Sequence, residues 1–171
     1  MKTHLSILFC LLFASIASAG TVTLAVKVEG EKKPADKTTK DQKKLAEVTR
    51  TQWLSVRVTN SSGTKLDGAT LKWILFSSEL RRGSDSTVVE KSGEMKISVD
   101  SNGRYADVTT PKVAFVYTPT HTETSGSGRR VRAKEVEETG HKYRGYYVQV
   151  LNGDAVLGEA ISNEALRKEL K

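Results

Sequence analysis

The chain has 171 residues and a formal net charge of +7, from 27 lysines and arginines against 20 acidic residues. Its length suits a single domain, and a hydrophobic content of 37% allows one modest core. Its one cysteine, Cys10, lies close to the N-terminus, so the rest of the chain has no thiol for a disulfide framework, a thiolate metal site or a cysteine nucleophile.

Residues 1–19 have the three-part pattern of a secretory signal peptide. Lys2 gives a positive start, residues 5–16 are almost wholly apolar, and Ala17-Ser18-Ala19 provides the small residues of a cleavage site. The apolar stretch is too short to span a bilayer stably. An uncleaved anchor helix is the alternative, and the small-residue site that follows directly disfavours it. The sequence therefore predicts export, with Gly20 as the mature N-terminus.

The residue before Cys10 argues against a lipid anchor. A lipoprotein signal has a small residue at that position, whereas this chain has Phe9. An exported domain without disulfides is also more typical of bacteria than of eukaryotes. We therefore expect a bacterial protein that is periplasmic or secreted and is not a lipoprotein.

Residues 20–171 are predicted to form one β domain. Apolar and polar residues alternate through most of it, which is typical of strands with one face on a core and one face towards water. The run Trp73-Ile74-Leu75-Phe76 instead predicts a central strand that is covered on both faces. Val28 is placed on the inward face of the first strand, residues 21–29. The expected core includes Leu24, Val26, Leu54, Val56, Trp73, Leu75, Val148 and Val150.

The segment 30–44, GEKKPADKTTKDQKK, is charged, nearly free of apolar residues and broken by Pro34. This composition predicts a mobile loop. A short helix over residues 41–48 is a competing prediction, which the β-branched residues after it weaken.

Turn signals divide the remaining strands. Ser92-Gly93 and Asn102-Gly103 are predicted as turns between short strands, and residues 146–160 form a hairpin that turns on Asn152-Gly153. The final residues predict a short tail helix capped by Ser162 or Asn163. Seven to nine short strands, with helix only at the tail, indicate an all-β antiparallel sandwich.

Two stretches carry a family resemblance. The segment LSVRVTNSSGTKLDGATLKWILF, which contains Trp73, resembles bacterial immunoglobulin-like and fibronectin-III-like modules, in which a buried tryptophan lies on the third strand. With GYYVQVLNGDAVLGEAISN near the C-terminus, the chain is similar to small exported bacterial proteins of unknown function. The resemblance implies an immunoglobulin-like sandwich of seven to nine strands and brings no catalytic or binding residues with it.

The residue pattern does not predict an enzyme, a cofactor or a metal site. Motifs for a serine nucleophile, a zinc hydrolase and a phosphate-binding loop are absent from the sequence. His121 and His141 are placed in separate loops, although zinc needs three or four convergent ligands. Residues 100–107 have a faint likeness to a calcium loop but lack the later oxygen ligands and the final glutamate.

Aromatic residues give one candidate binding site. Trp53, Tyr143 and Tyr147 are candidates for an exposed platform that stacks on sugar rings, with Trp53 facing outward because it precedes the inward Leu54. Two alternatives remain open. Lysine stems of the 30–44 segment can cover Trp53, and aromatic residues are also ordinary cross-strand packing partners.

A basic strand gives the other candidate. Arg130, Arg132 and Lys134 alternate with small apolar residues, so a strand presents three cations on one face. Such a face can bind a polyanion through charge, or it can protect an edge strand from aggregation. The glutamates that follow favour the second interpretation.

The sequence thus predicts an exported, non-catalytic structural or protein-interaction module of the bacterial cell envelope or exterior. Its expected partner is another envelope or extracellular protein, which approaches a sheet edge or the loop ends. A glycan is the first alternative and an anionic polymer the second, whereas nucleic acid is not expected.

Overall fold

The computed structural model describes residues 22–33, 47–81, 84–125 and 132–170. The predicted signal peptide, residues 34–44 and Arg130 lie outside this range. The described chain is mostly antiparallel β. No helix in it is long and apolar enough to cross a membrane. Its strands are β1 (Val22–Lys33), β2 (Val48–Asn60), β3 (Leu66–Arg81), β4 (Ser84–Val99), β5 (Arg104–Thr109), β6 (Val113–Thr118), β7 (His121–Ser125), β8 (Arg132–Val136), β9 (Thr139–Asn152) and β10 (Ala155–Ile161), followed by a 3-10 helix (Glu164–Leu170), called the tail helix.

The strands fall into two groups by their pairing, and both groups contribute residues to one core. In the first group, β2 pairs with β1 along one edge and with β5 and β6 along the other. In the second, β3 lies between β4 and β9, and β9 also pairs with β10. A short pairing of β6 with β9 joins the groups into one eight-stranded sheet. Strands β7 and β8 form a separate two-stranded sheet.

The main core confirms the alternation of apolar residues. All eight residues predicted for it are buried in one cluster, to which β1, β2, β3, β4, β6, β9 and β10 contribute. Val28 is the exception on the predicted inward face of β1. Its exposure is 37%, whereas Val22, Leu24 and Val26 on the same strand are buried. The period-two pattern therefore identifies the core, and Val28 marks the end of the buried stretch of β1.

A second apolar cluster covers the other side of β3 and β9. Ile74, Phe76 and Tyr147 lie there against Ile161 and the tail helix, and we call this side the covered face. The cluster confirms the prediction that β3 is covered on both sides. The tail is a helix of the 3-10 type. Its cap is Asn163, whose Oδ1 accepts a hydrogen bond from the backbone N–H of Ala165 at 2.9 Å.

The predicted turn at Ser92-Gly93 is wrong, because β4 runs without interruption through both residues. Gly93 pairs with Trp73, and the indole ring lies directly against the glycine backbone. A Cβ at this position would be 2.7 Å from Cζ2 of Trp73. The glycine therefore makes room for an aromatic ring rather than for a turn.

Two other boundaries differ from the sequence predictions. Residues 30–33 continue β1, because they pair with residues 49–52 of β2, whereas composition placed them in a loop. Asn102-Gly103 is a turn with positive φ at both residues, but it is not a hairpin. It leads from β4 in one group to β5 in the other, and Gly103 N–H donates to the carbonyl of Asn60.

Candidate ligand-binding face

The outer side of β1, β2 and β5 is the most distinctive exposed surface of the described chain. Side chains that alternate with the buried core residues point to this side, and the register places β1 and β5 on opposite edges of the same stretch of β2. We call it the open face. Its members are Thr23, Ala25, Lys27, Glu29, Glu31, Trp53, Ser55, Arg57, Thr59, Tyr105, Asp107 and Thr109, together with Lys112.

Arg57 and Asp107 form a forked ion pair at the centre of one half of the open face. Arg57 Nε donates to Asp107 Oδ1 at 2.8 Å, and a terminal nitrogen donates to Oδ2 at 3.0 Å. The hydrogen bonds from Arg57 lower the pKa of the Asp107 carboxyl, and Asp107 raises the pKa of Arg57 in return. The guanidinium carbon also lies 4.3 Å from the ring centre of Tyr105. The ion pair therefore fixes the cation over the aromatic ring.

The other half of the open face repeats this arrangement with different residues. Lys112 Nζ lies 4.4 Å from the ring centre of Trp53 and 2.8 Å from Oε1 of Glu31. Trp53 faces outward, as predicted. The cation over its ring is Lys112, which lies in the connection between β5 and β6. The alternative, a lysine of the 30–44 segment over the ring, is not seen among residues 30–33, which are the part of that segment that the structure describes. Each aromatic ring of the open face thus has a cation over it, and a carboxylate binds that cation.

A shallow depression of about 220 Å³ separates the two aromatic residues. Its lining includes Ala25, Val26, Ser55 and the Arg57–Asp107 pair. Lys27, which also lines it, pairs with Glu29 at 3.4 Å. Lys27, Arg57 and Lys112 are therefore each bound to a carboxylate of the same face, and these three pairs are neutral. Lys33, at the end of β1, adds one exposed cation on the same side.

The predicted platform of Trp53, Tyr143 and Tyr147 does not form, because the three rings lie in different environments. Tyr143 packs on the main core, with its ring edge-on to Phe115 at 5.5 Å, and burial raises its pKa. Tyr147 is buried in the cluster of the covered face, and its hydroxyl donates to Glu159 at 2.9 Å. Of the three predicted residues, Trp53 alone contributes to the open face.

The predicted basic strand is described in part. Arg132 and Lys134 are exposed on β8, and Arg130 lies outside the described residues. Lys134 pairs in register with Glu123 of β7, so a negative side chain lies beside it. Within the described chain, β7 is the one strand partner of β8. The local charge on β8 is therefore mixed rather than purely positive.

The histidines lie in strands rather than in loops, His121 in β7 and His141 in β9. His141 Nδ1 lies 2.9 Å from Glu90 Oε2 and 3.2 Å from Ser77 Oγ, and the serine donates to the same carboxylate at 2.8 Å. In a catalytic triad the base uses one ring nitrogen for the nucleophile and the other for the acid. Here one nitrogen contacts both partners, and Ser77 is completely buried. The cluster joins β3, β4 and β9.

The calcium-like stretch does not gather its oxygen atoms around one point. Asp107 is bound to Arg57, whereas Asp100 lies 3.9 Å from Lys65. No group of three or more histidine, aspartate or glutamate side chains in the described chain is arranged to hold a metal ion.

Sequence reasoning missed Tyr105, Arg57 and Asp107. Alternation in residues 104–109 places Tyr105 and Asp107 on one side of a strand, which is the signal that could have found them. Their neighbour Arg57 is brought close by a pairing between residues 50 positions apart in sequence.

No protein-family model, curated protein or solved structure is detectably similar to this chain.

Proposed function

We propose that this protein is an exported, non-catalytic interaction module of the bacterial cell envelope or exterior, and that the open face is its contact surface. The observation that carries the proposal is the pair of aromatic residues on this face. Tyr105 is 58% exposed, and both rings are held in position by fixed cations. Aromatic residues that are ordered yet accessible are typical of binding surfaces.

The fold that we propose is an immunoglobulin-like β-sandwich. Two groups of antiparallel strands that enclose one core support it, as does the burial of Trp73, which is 3% exposed. Residues 1–19 support export through their signal-peptide pattern. The Ser77–Glu90–His141 cluster supports a role without catalysis, because its serine is shielded from substrate and its histidine is not arranged as a relay.

Co-sedimentation with bacterial cell-envelope fragments tests the contact surface. We expect the purified mature protein to pellet with the fragments, and a Trp53→Ala/Tyr105→Ala double variant to stay in solution. Val156→Ala is the matched control, because Val156 is an apolar residue that is 52% exposed on β10 and is not a member of the open face. Equal pelleting of the wild type and the double variant would show that the open face is not the contact surface.

Export has its own test, by mass spectrometry of the protein secreted from a bacterial host. We expect a mature chain that begins at Gly20 and carries no lipid. Retention of Met1, or a diacylglyceryl group on Cys10, would contradict the proposal.

A further inference from the structure

The chemistry of the open face indicates the class of ligand. We infer that it binds a neutral polysaccharide chain, which lies across β1, β2 and β5 and contacts both Trp53 and Tyr105. This inference rests on the proposed function and specifies its ligand. Three features carry it: the spacing of the rings, the hydrogen-bonding groups between them and the balance of charge.

The rings are spaced for a chain rather than for a single sugar. Tyr105 pairs with Thr59, and Trp53 lies six positions earlier on β2. At about 3.3 Å per residue, the two backbone positions are roughly 20 Å apart. The face of an aromatic ring carries excess negative charge and attracts the slightly positive C–H groups of a sugar ring. Arg57 and Lys112 each occupy one face of a ring, so a chain of several sugars would contact both rings at the faces and edges that the cations leave uncovered.

The surface between the rings presents donors and acceptors side by side. The Arg57–Asp107 pair uses two N–H groups and one lone pair on each carboxylate oxygen, and both side chains are 53% exposed. The remaining N–H groups and lone pairs point to solvent as adjacent donors and acceptors, which neighbouring sugar hydroxyls can match. Ser55 and Thr109 add hydroxyl groups at the next paired position.

The charge balance favours a neutral ligand. The ion pairs Lys27–Glu29, Arg57–Asp107 and Lys112–Glu31 neutralise the cations beside and between the two rings, so the region that the ligand would cover has no excess charge to attract a polyanion. The stretch between the rings, all of which the structure describes, carries no large aliphatic side chain. The centre of a protein interface is typically a fully buried apolar patch, which this stretch lacks. Polysaccharide hydroxyls and ring faces fit the surface better.

Affinity gel electrophoresis tests the inference directly. The mature protein is run in native gels that contain laminarin, xylan, mannan or other soluble neutral polysaccharides, and in a heparin gel as the anionic comparison. We expect at least one neutral polysaccharide to retard the wild type and Val156→Ala equally, without loss of retardation on addition of salt. Trp53→Ala and Tyr105→Ala should each weaken binding about tenfold, which corresponds to roughly 1.4 kcal/mol.

Arg57→Lys adds a test of the hydrogen-bonding fork. This variant keeps the charge but loses the planar pair of donors. We expect weaker retardation by the same neutral polysaccharide, with the melting temperature close to that of the wild type. Retardation equal to the wild type would contradict a role for the fork in sugar binding.

Three results would overturn the inference: no retardation in any neutral gel, retardation in heparin alone, or neutral retardation that survives both aromatic replacements. If co-sedimentation with envelope fragments still depends on the open face, and protease treatment of the fragments abolishes it, the ligand is a protein. That result would support the proposed interaction module and would contradict a polysaccharide as its ligand. If co-sedimentation does not depend on the open face, the proposed function itself fails.

Discussion

Two outer surfaces of this protein carry aromatic residues, and the described part of the chain covers those of one surface and leaves those of the other accessible. On the covered face, Phe76 and Tyr147 lie beneath the tail helix, and Leu166 packs on them. On the open face, Trp53 and Tyr105 lie among ion pairs and hydroxyl groups. The difference indicates that the first set stabilises the fold, whereas the second is free to contact a ligand.

Electrostatics maintain both arrangements in different ways. On the covered face, Arg167 of the tail helix donates to Glu159 at 2.7 Å and to Glu164 at 2.6 Å, which fixes the helix to β10. On the open face, the ion pairs fix cations over the aromatic rings, and no chain segment within the described residues lies across them. Ion pairs therefore hold the tail helix against the covered face, and on the open face they hold cations over the aromatic rings.

Truncation of an aromatic side chain on each face gives the largest expected contrast. Phe76 is completely buried, so Phe76→Ala should lower the free energy of unfolding by about 3–5 kcal/mol. Tyr105→Ala, the matched change on the open face, should lower it by about 1 kcal/mol or less. Urea denaturation followed by circular dichroism measures both. Equal losses would show that the open face is needed for folding in the same way as the covered face.

Leu166→Ala tests the tail helix as the cover. Leu166 is 2% exposed and packs in the same cluster as Phe76, so its loss should lower the free energy of unfolding by about 2–5 kcal/mol. Hydrogen exchange should also become faster in residues 161–170, while residues 53–59 keep their protection. Ala165→Gly, an exposed change in the same helix, is the control. An unchanged stability would mean that the tail does not cover this face in solution.

Alkaline pH should loosen the covered face through the ionisation of Tyr147. Burial and the hydrogen bond to Glu159 raise the pKa of Tyr147 from 10.0 to about 12. Because the folded state holds the proton more tightly, this contribution is complete below pH 10 and is lost as the pH rises towards 12. It corresponds to roughly 2–3 kcal/mol. Stability measured across this range should fall more in the wild type than in Tyr147→Phe, and parallel curves would contradict the role of the hydroxyl.

Replacement of Trp53 should have a small effect on stability and a large effect on binding. Trp53→Ala removes a partly exposed ring and its contact with Lys112, so we expect a loss of about 1 kcal/mol or less. Thermal unfolding checks this value. A loss as large as that of Phe76→Ala would mean that Trp53 belongs to the folded core rather than to a ligand surface.

Alternation in the sequence was sufficient to find the main core, because each residue of a half-buried strand faces either the core or water. It failed at Tyr147, which it placed on a solvated side, because the cover over that side comes from the tail helix. It also failed at Gly93, where the indole of Trp73 occupies the space that a side chain would fill. These contacts depend on strand order and register, which the local pattern does not encode.

The candidate site shows the same limit. Trp53 was recognisable because it is an aromatic residue at an outward position of a strand. The fork of Arg57 and Asp107 required the register between β2 and β5, and Lys112 reaches Trp53 from a connection rather than from a strand. Single outward residues are therefore predictable from sequence, whereas their grouping into a face is not.

Tryptophan fluorescence during titration with a soluble neutral polysaccharide tests most directly whether the open face binds a ligand. The chain has two tryptophans, Trp53 on the open face and Trp73, which is 3% exposed in the core. With the polysaccharide that retards the protein most strongly, we expect a saturable change in emission in the wild type and none in Trp53→Phe. An unchanged emission in the wild type, or the same change in Trp53→Phe, would contradict binding at this face.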